Sequence, residues 1–305
     1  MQKKIISKIV KPTINQIAKY IPGESLIDGK TDVIKLSSNE SPFKIPSKVS
    51  AISKKIFSKF NLYPDGDSNL LKRSLSKNFK INFSQIICGN GSDDILSLVA
   101  QAFSDQNSEI ICSQYGFIYY PIIAKISGAK VLTAKTDGLK ISCKNILSLI
   151  TKKTKIIFFA NPNNPTGTVI LRNELIKFIS SVPKNIIIVI DGAYSEFVTN
   201  NNYSNGLDLV KKFPNIVVTR TFSKIYALAG LRLGWAYSSK SIIEILEKIR
   251  GPFNVNSIAQ NLGAMILKEK KFLMKSINHN NKWQKKLPHS INSLGLKAYK
   301  TYANF

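Results

Sequence analysis

The chain has 305 residues, enough for one large hydrophobic core and a smaller lobe. Its net charge of +26 would suit a nucleic-acid binder, but the excess is almost entirely lysine, with five arginines and no arginine cluster. We therefore expect no specific nucleic-acid partner. The three cysteines lack CxxC spacing and the two histidines lack nearby carboxylates or cysteines, so the sequence predicts no metal site and favours a reducing, cytoplasmic compartment.

The apolar runs give no sign of a membrane protein. The first ten residues, MQKKIISKIV, lack a long apolar segment and a small-residue cleavage site. The longest aliphatic run, residues 186–190, has the length of a strand, so we predict no membrane span. Residues 1–40 are interrupted by prolines and a glycine, which predicts an arm with at most a short helix near 14–19.

Beyond residue 40, strand-length apolar runs alternate with helical patterns, which predicts an α/β domain. The run 185–190 is the most hydrophobic and predicts a central parallel strand buried on both faces. The predicted strands are 86–88, 109–112, 131–133, 155–160, 185–190, 215–219 and 234–238, and the predicted helices are 95–103, 117–127, 171–179 and 242–249.

A break in the pattern at residues 251–256 predicts a change of domain. Helices are predicted after it, from 257 and over 272–287, and a strand is predicted over 296–305. We therefore divide the chain into an N-terminal arm and small-domain segment (1–40), a large domain (41–250) and a small C-terminal domain (251–305).

The segment 217–235, VVTRTFSKIYALAGLRLGW, carries the first residues that indicate chemistry. The amine of Lys224 can form a Schiff base with an aldehyde. Thr221, Ser223 and Arg232 together suit a phosphate, because hydroxyls and a planar guanidinium donate several hydrogen bonds to one anion. A lysine beside an anion site is what binding of pyridoxal phosphate requires. The alternative is that Lys224 is one of many solvated lysines.

Two further features lie where predicted strands end. Gly91 and Ser92 join a strand to a helix, and their backbone N–H groups are a second candidate binding site for a phosphate. The alternative is an ordinary capped helix start. Asp191 follows the strand 185–190, at the edge where open α/β sheets bind ligands. Its alternative role is that of a helix cap or turn former.

Four motifs carry a resemblance to a known family. They are T-x-S-K-x-x-x-L-A-G-L-R-x-G around Lys224, N-P-N-N-P-T-G at 161–167, D-G-A-Y at 191–194 and L-S-S-N-E-S-P at 36–42. They resemble the fold-type I, pyridoxal-phosphate-dependent aminotransferases of classes I and II, and most of all the histidinol-phosphate aminotransferase family. The resemblance implies a mostly parallel central sheet with helices on both faces, and a smaller α+β domain.

The resemblance also implies roles around the cofactor ring. Lys224 is the residue that would hold pyridoxal 5'-phosphate and move a proton during catalysis. Asp191 would pair with the pyridine nitrogen, while Tyr194 and Asn164 would hydrogen-bond the ring oxygen. Tyr115 would stack on the ring and exclude water from one face.

Other implied roles concern phosphates and a second subunit. Tyr63, in a Y-P-D-G turn, would reach the cofactor phosphate of a partner subunit, which implies a homodimer. Tyr20, in a Y-x-P-G stretch, would lie near the substrate phosphate, and Asn39 would line the substrate pocket. The residues assigned to the cofactor phosphate within the chain are Gly91, Ser92, Thr221, Ser223 and Arg232.

The implied activity is transamination between L-histidinol phosphate and 2-oxoglutarate in histidine biosynthesis. Gly192 departs from the family pattern, which has an acidic residue there. No arginine follows Arg250, whereas the family's second lobe continues and carries an arginine that holds the substrate. Either the sequence is C-terminally incomplete or the chain cannot hold its substrate normally. The alternatives are a related aminotransferase acting on aromatic or other amino acids, a decarboxylase of the same fold acting on a phosphorylated substrate, and a cofactor-binding remnant without catalytic activity.

Overall fold

The computed structural model describes residues 9–21, 23, 28–29 and 31–305, and a seven-stranded mixed sheet forms their centre. The strands are β1 (Ile86–Gly89), β2 (Glu109–Ser113), β3 (Lys130–Ala134), β4 (Thr154–Ala160), β5 (Ile187–Asp191), β6 (Ile216–Thr221) and β7 (Gly234–Ser238). Their order is β1-β7-β6-β5-β4-β2-β3. Strand β7 runs antiparallel to β1 and β6, and the other neighbouring pairs are parallel. The predicted mostly parallel α/β sheet is confirmed.

Helices cover both faces of this sheet. They are α1 (Ser47–Ser50), α2 (Ser53–Phe57), α3 (Asn69–Phe79), α4 (Ser92–Phe103), α5 (Tyr119–Ser127), α6 (Cys143–Ser148), α7 (Arg172–Ser181), α8 (Lys240–Ile249), α9 (Ser257–Ile266) and α10 (Lys270–Ser293). Helices α4, α5 and α8 bury apolar side chains against one face, and α3, α6, α7 and α9 bury theirs against the other. None of the described helices is long and apolar enough to cross a bilayer.

Strand β5 shows why the centre of the sheet is so apolar. Ile188 and Ile190 point into the core on one face and Val189 into the core on the other, and all three side chains are at most 1% exposed. Side chains alternate along a strand, so a strand covered on both faces must be apolar at every position. Burying each such side chain contributes about 1.5–3 kcal/mol.

The strand order fixes where a ligand can bind. The chain enters the sheet's parallel part at β2, proceeds outward to β3, and then returns to build β4, β5 and β6 on the other side of β2. The connections after β2 and β4 therefore leave the sheet in opposite directions. This opens a crevice at the carboxyl ends of these strands, the usual ligand site of open α/β sheets.

Some elements differ from the sequence-based expectation. The strand predicted over 296–305 is absent from the structure, which shows an irregular segment there. Its backbone crosses the loop after β4, where Tyr302 N donates to Gly167 O at 2.8 Å, instead of pairing with a strand. The predicted helix near 14–19 is a single 3-10 turn, Ile14–Gln16. Helices α1, α2, α3 and α6 were not predicted.

Two sequence observations lie outside the described residues. The first eight residues belong to the segment that we screened for a targeting signal, and Pro22 belongs to the Y-x-P-G stretch. The division into arm, large domain and small domain stays a prediction.

Candidate active site

A cavity of about 800 Å³ opens at the carboxyl ends of β2, β4, β5 and β6. It is the point at which the loops after these strands and the 36–42 segment meet. Most of the residues singled out in the sequence line it: Tyr20, Asn39, Ser92, Asn164, Asp191, Tyr194, Thr221, Ser223, Lys224 and Arg232. Residues as far apart in the sequence as Tyr20 and Arg232 are thus brought together around one cavity.

Lys224 projects into this cavity from the loop after β6. Its Nζ donates a hydrogen bond to Ser38 O at 2.8 Å and lies 5.7 Å from the centre of the Tyr194 ring. Burial lowers the pKa of the Lys224 amine, and the nearby carboxylate of Asp93 partly opposes this shift. A lowered pKa increases the fraction of neutral amine, which is the form that attacks an aldehyde.

Asp191 ends β5 and is 4% exposed. Its carboxylate accepts hydrogen bonds from Tyr120 Oη at 3.0 Å, Thr219 Oγ1 at 3.1 Å and Ala193 N at 3.2 Å. Burial raises the pKa of Asp191 and the bonds from Tyr120 and Thr219 oppose the rise. A cation beside this carboxylate would favour its ionised form further, so the site suits a protonated ring nitrogen.

Tyr194 stands between two asparagine amides. Asn39 Nδ2 donates to its Oη at 3.2 Å, and Asn164 Nδ2 reaches the same atom at 3.5 Å. Burial raises the pKa of Tyr194 to about 12, so the phenol keeps its proton at neutral pH and can donate it to an acceptor in the cavity.

Arg232 forms another wall of the cavity. Its Nη1 donates to Ser223 Oγ at 3.2 Å and its Nη2 lies 3.5 Å from Asp93 Oδ2. Thr221 supports this wall from the end of β6, where its Oγ1 accepts the Ser223 N–H at 3.0 Å. A guanidinium and two hydroxyls so placed can receive an anion.

Two glycines allow the backbone at the start of α4 to approach this wall. Gly91 has φ of +93°, and a Cβ there would lie 2.7 Å from Arg232 Nη2. A Cβ at Gly234 would lie 2.2 Å from Ser92 N. The N-terminus of α4 and Arg232 therefore share one confined space, which suits an anion that accepts from both.

Two predicted site residues lie elsewhere in the described chain. Tyr115 is 44% exposed and does not line the cavity, whereas Phe117 does. Tyr115 sits in the turn after β2, where its carbonyl accepts from Asn163 Nδ2 at 2.7 Å. Tyr63 is 81% exposed and stacks on Phe253 at 4.6 Å, outside the cavity.

Sequence reasoning also missed several contributors to the site. Nothing in the sequence indicates that the Tyr120 hydroxyl meets Asp191. Asp93, in the first turn of α4, pairs with Arg232. Ser38, whose carbonyl holds the Lys224 amine, has no side-chain signature at all, because a backbone acceptor is available at every residue.

These groups fit pyridoxal phosphate on three counts. Lys224 offers an amine of lowered pKa, Asp191 offers a buried carboxylate, and Ser92, Ser223 and Arg232 line a part of the cavity that suits a phosphate. The described residues contain no cluster of three or more histidine, cysteine or acidic side chains that could hold a metal ion.

The fold and the site together define a lysine-centred α/β enzyme of the aminotransferase type. Residues 31–305 match the family described as aminotransferase class I and II. The chain belongs to this family.

Curated relatives and solved structures carry the same family resemblance. The chain is similar to the histidinol-phosphate aminotransferase of Pelagibacter ubique, with 43% identity over 95% of this chain and 81% of that one. It is 38% identical to the enzyme of the same name from Maricaulis maris, over 96% of this chain and 81% of that one.

Among solved structures, the histidinol-phosphate aminotransferase of Sinorhizobium meliloti in complex with pyridoxal-5'-phosphate superimposes with a TM-score of 0.83 at 21% identity, covering 87% of this chain and 72% of that one. The enzyme of the same name from Clostridium acetobutylicum gives 0.80 at 25% identity, over 88% and 80%. The fold is that of the fold-type I aminotransferases.

Proposed function

We propose that the chain is a pyridoxal-phosphate-dependent aminotransferase that exchanges an amino group between L-histidinol phosphate and 2-oxoglutarate in histidine biosynthesis. The observation that carries the proposal is the shared cavity of Lys224, Asp191 and Arg232. The names of the curated relatives, at 43% and 38% identity, support the choice of substrate.

The bound cofactor supplies an aldehyde that captures amines and a ring that takes up electrons. Lys224 is the residue placed to bind that aldehyde. The neutral Lys224 Nζ would take a proton from the substrate's α-carbon, which is general base catalysis. Its lowered pKa increases the fraction of neutral amine that is available for this role.

Asp191 and Tyr194 would each tune the cofactor ring. The Asp191 carboxylate would hold a proton on the ring nitrogen, and a hydrogen bond between charged partners is roughly twice as strong as a neutral one. Tyr194, joined by Asn164, would donate to the ring oxygen. The aromatic ring of Phe117 lines the same cavity and is placed to exclude water from the site.

Arg232, Ser223 and the backbone at Gly91 and Ser92 would bind the cofactor phosphate. Tyr20 and Asn39 line the outer part of the cavity and would face the substrate. Tyr20 is 55% exposed and lies at the rim, where a hydroxyl can meet a substrate phosphate.

We also propose that the protein works as a homodimer in the cytoplasm. Tyr63 and Phe253 form an exposed aromatic pair on the surface outside the cavity, a feature that supports contact with a second copy. Size-exclusion chromatography with light scattering should give twice the chain mass, and a monomer at working concentrations would contradict the proposal. The free cysteines, two of them buried, support a reducing compartment.

The test of function compares two amino donors and two lysine variants. Purified protein with pyridoxal phosphate and 2-oxoglutarate should form glutamate faster with histidinol phosphate than with phenylalanine. Lys224→Ala should abolish turnover and the covalent fixation of cofactor by borohydride, because the amine is lost. Lys240→Ala, an exposed lysine paired with Glu244, is the matched control and should keep both. Fixation persisting in Lys224→Ala would refute the assignment.

A further inference from the structure

The irregular segment 301–305, here called the brace, contacts the active site from outside the cavity. Ala303 is completely buried, and its carbonyl accepts hydrogen bonds from Asn280 Nδ2 at 3.3 Å and Gln284 Nε2 at 2.6 Å. Both donors are side chains of α10. The brace is therefore anchored at its middle to a long helix that itself contributes nothing to the cavity lining in the described chain.

A second anchor joins the brace to the loop that carries Asn164. Tyr302 N donates to Gly167 O at 2.8 Å. Gly167 has φ of +69°, and a Cβ there would lie 2.1 Å from Thr301 Oγ1. The loop and the brace thus touch at a position where a side chain would separate them.

Beyond these anchors, the brace contacts Tyr194 and Asn39, the residue whose amide donates to Tyr194 Oη. Asn304 Nδ2 donates to Asn39 O at 3.1 Å. The ring of Phe305 meets the Tyr194 ring edge-on, with centroids 4.9 Å apart and an interplanar angle of 82°.

Asn39 has a left-handed backbone conformation. Its φ of 52° lies in a region that asparagine adopts more readily than most residues other than glycine. That conformation directs Asn39 Nδ2 to Tyr194 Oη, while the preceding carbonyl, Ser38 O, accepts from Lys224 Nζ. When the Lys224 amine binds another group, the carbonyl of Ser38 loses its hydrogen bond from Lys224 Nζ. The hydrogen bond from Asn304 Nδ2 to Asn39 O then still holds the segment 36–42.

We propose that Asn304 is a positioning residue, which holds Asn39 so that its amide stays on Tyr194, and that the brace thereby transmits the position of α10 to the substrate side of the cavity. Asn304 acts through Asn39 rather than by touching a reacting atom. The proposal rests on the proposed function for its kinetic consequence, whereas the structural coupling can be measured without any cofactor.

The first experiment is hydrogen–deuterium exchange of the cofactor-free protein. Asn304→Ala removes the donor, and amides of residues 36–42 should exchange about tenfold faster, in keeping with the loss of one hydrogen bond. Asn304→Asp has the same size but places a carboxylate oxygen against the Asn39 carbonyl, so exchange should rise at least as much. Amides of β5 should be unchanged in both variants.

The matched control is Asn281→Ala. Asn281 lies on α10, is half-buried like Asn304, and makes no hydrogen bond to the brace within the described residues. Equal exchange over 36–42 in the Asn304 and Asn281 variants overturns the proposal. A rise of equal size throughout β5 also overturns it, because that result would mean general destabilisation.

The second experiment uses the loaded enzyme. Asn304→Ala should raise KM for the amino donor about tenfold while kcat changes less and the affinity for pyridoxal phosphate stays the same, because the groups that would hold the cofactor phosphate are untouched. An unchanged KM with weakened cofactor binding would overturn the positioning role. A wild-type protein without turnover would instead refute the proposed function, and the exchange experiment would still decide the coupling.

Discussion

Gly192 follows Asp191 directly, and replacing it with alanine should be among the most damaging single-methyl changes in the chain. A Cβ at this position would lie 1.5 Å from Arg220 Nη1 and 2.6 Å from Ser195 Oγ. Arg220 is 1% exposed, so its guanidinium has no solvent space into which it can retreat. The substitution therefore forces either the arginine or the strand end at Asp191 to move.

The size of the effect follows from the bonds that Arg220 makes. Its guanidinium donates to the carbonyls of Asn205 at 2.7 Å, Thr219 at 3.2 Å and Gly192 at 3.4 Å, and its Nε lies 3.5 Å from Glu196 Oε1. Breaking a buried ion pair by displacing one partner costs about 3–5 kcal/mol. We expect Gly192→Ala to lower the free energy of unfolding by an amount in that range.

Urea denaturation followed by circular dichroism measures this loss against a matched control. Gly251→Ala places a methyl group on an exposed glycine with nothing within 4 Å, so it should change stability by about 0.5 kcal/mol or less. In an Arg220→Met background, the Gly192→Ala substitution should cost much less, because the clashing group is gone. If Gly192→Ala is as stable as Gly251→Ala, the steric reasoning is wrong.

Two further predictions concern charge around the site. Asp93→Asn removes a carboxylate that opposes the burial-induced lowering of the Lys224 pKa, so that pKa should fall further. In the cofactor-free protein, the Lys224 amine should then begin to react with a small aldehyde at a lower pH than in the wild type. An unchanged pH midpoint of this reaction would contradict the prediction. Tyr120→Phe removes a hydrogen bond that opposes the burial-induced rise of the Asp191 pKa, so Asp191 should ionise only at higher pH. The acid limb of the pH profile of kcat should therefore move to higher pH. An unchanged acid limb would exclude this role of Tyr120.

Position 192 is glycine, where the family resemblance implies an acidic residue. The side chain of Arg220 lies against Gly192, and the buried carboxylate that pairs with Arg220 is that of Glu196. Burial raises the pKa of Glu196 and the Arg220 charge opposes the rise. The sequence shows both residues, but their pairing depends on the turn between β5 and Phe197, which brings the two side chains to one point.

The core strands were predictable because their signal is local. The continuous apolar run from 186 to 190 predicts a strand buried on both faces, and the structure confirms β5 there. The segment 296–305 was also predicted to be a strand, yet it forms no strand in the structure. Strand pairing needs a partner edge, and the backbone of this segment finds Gly167 and the side chains of α10 instead.

The aromatic residues after β2 show the same limit at the site. Residues 115–120 contain four aromatic side chains, and the resemblance assigned the ring-facing position to Tyr115. In the structure Phe117 lies just before α5 and lines the cavity, whereas Tyr120 lies in the first turn of α5 and reaches Asp191. Which of them meets the cavity depends on where that helix begins.

The sequence by itself determined the chemistry: the Lys224 segment, the N-P-N-N-P-T-G loop and Asp191 at a strand end are local patterns whose residue types already specify an amine, an amide and an acid. The tertiary structure alone decided which distant groups complete them. Ser38 O on Lys224, Tyr120 on Asp191 and Asn304 on Asn39 are contacts between segments up to 265 residues apart. Such contacts depend on how elements pack in space, and no spacing along the chain encodes them.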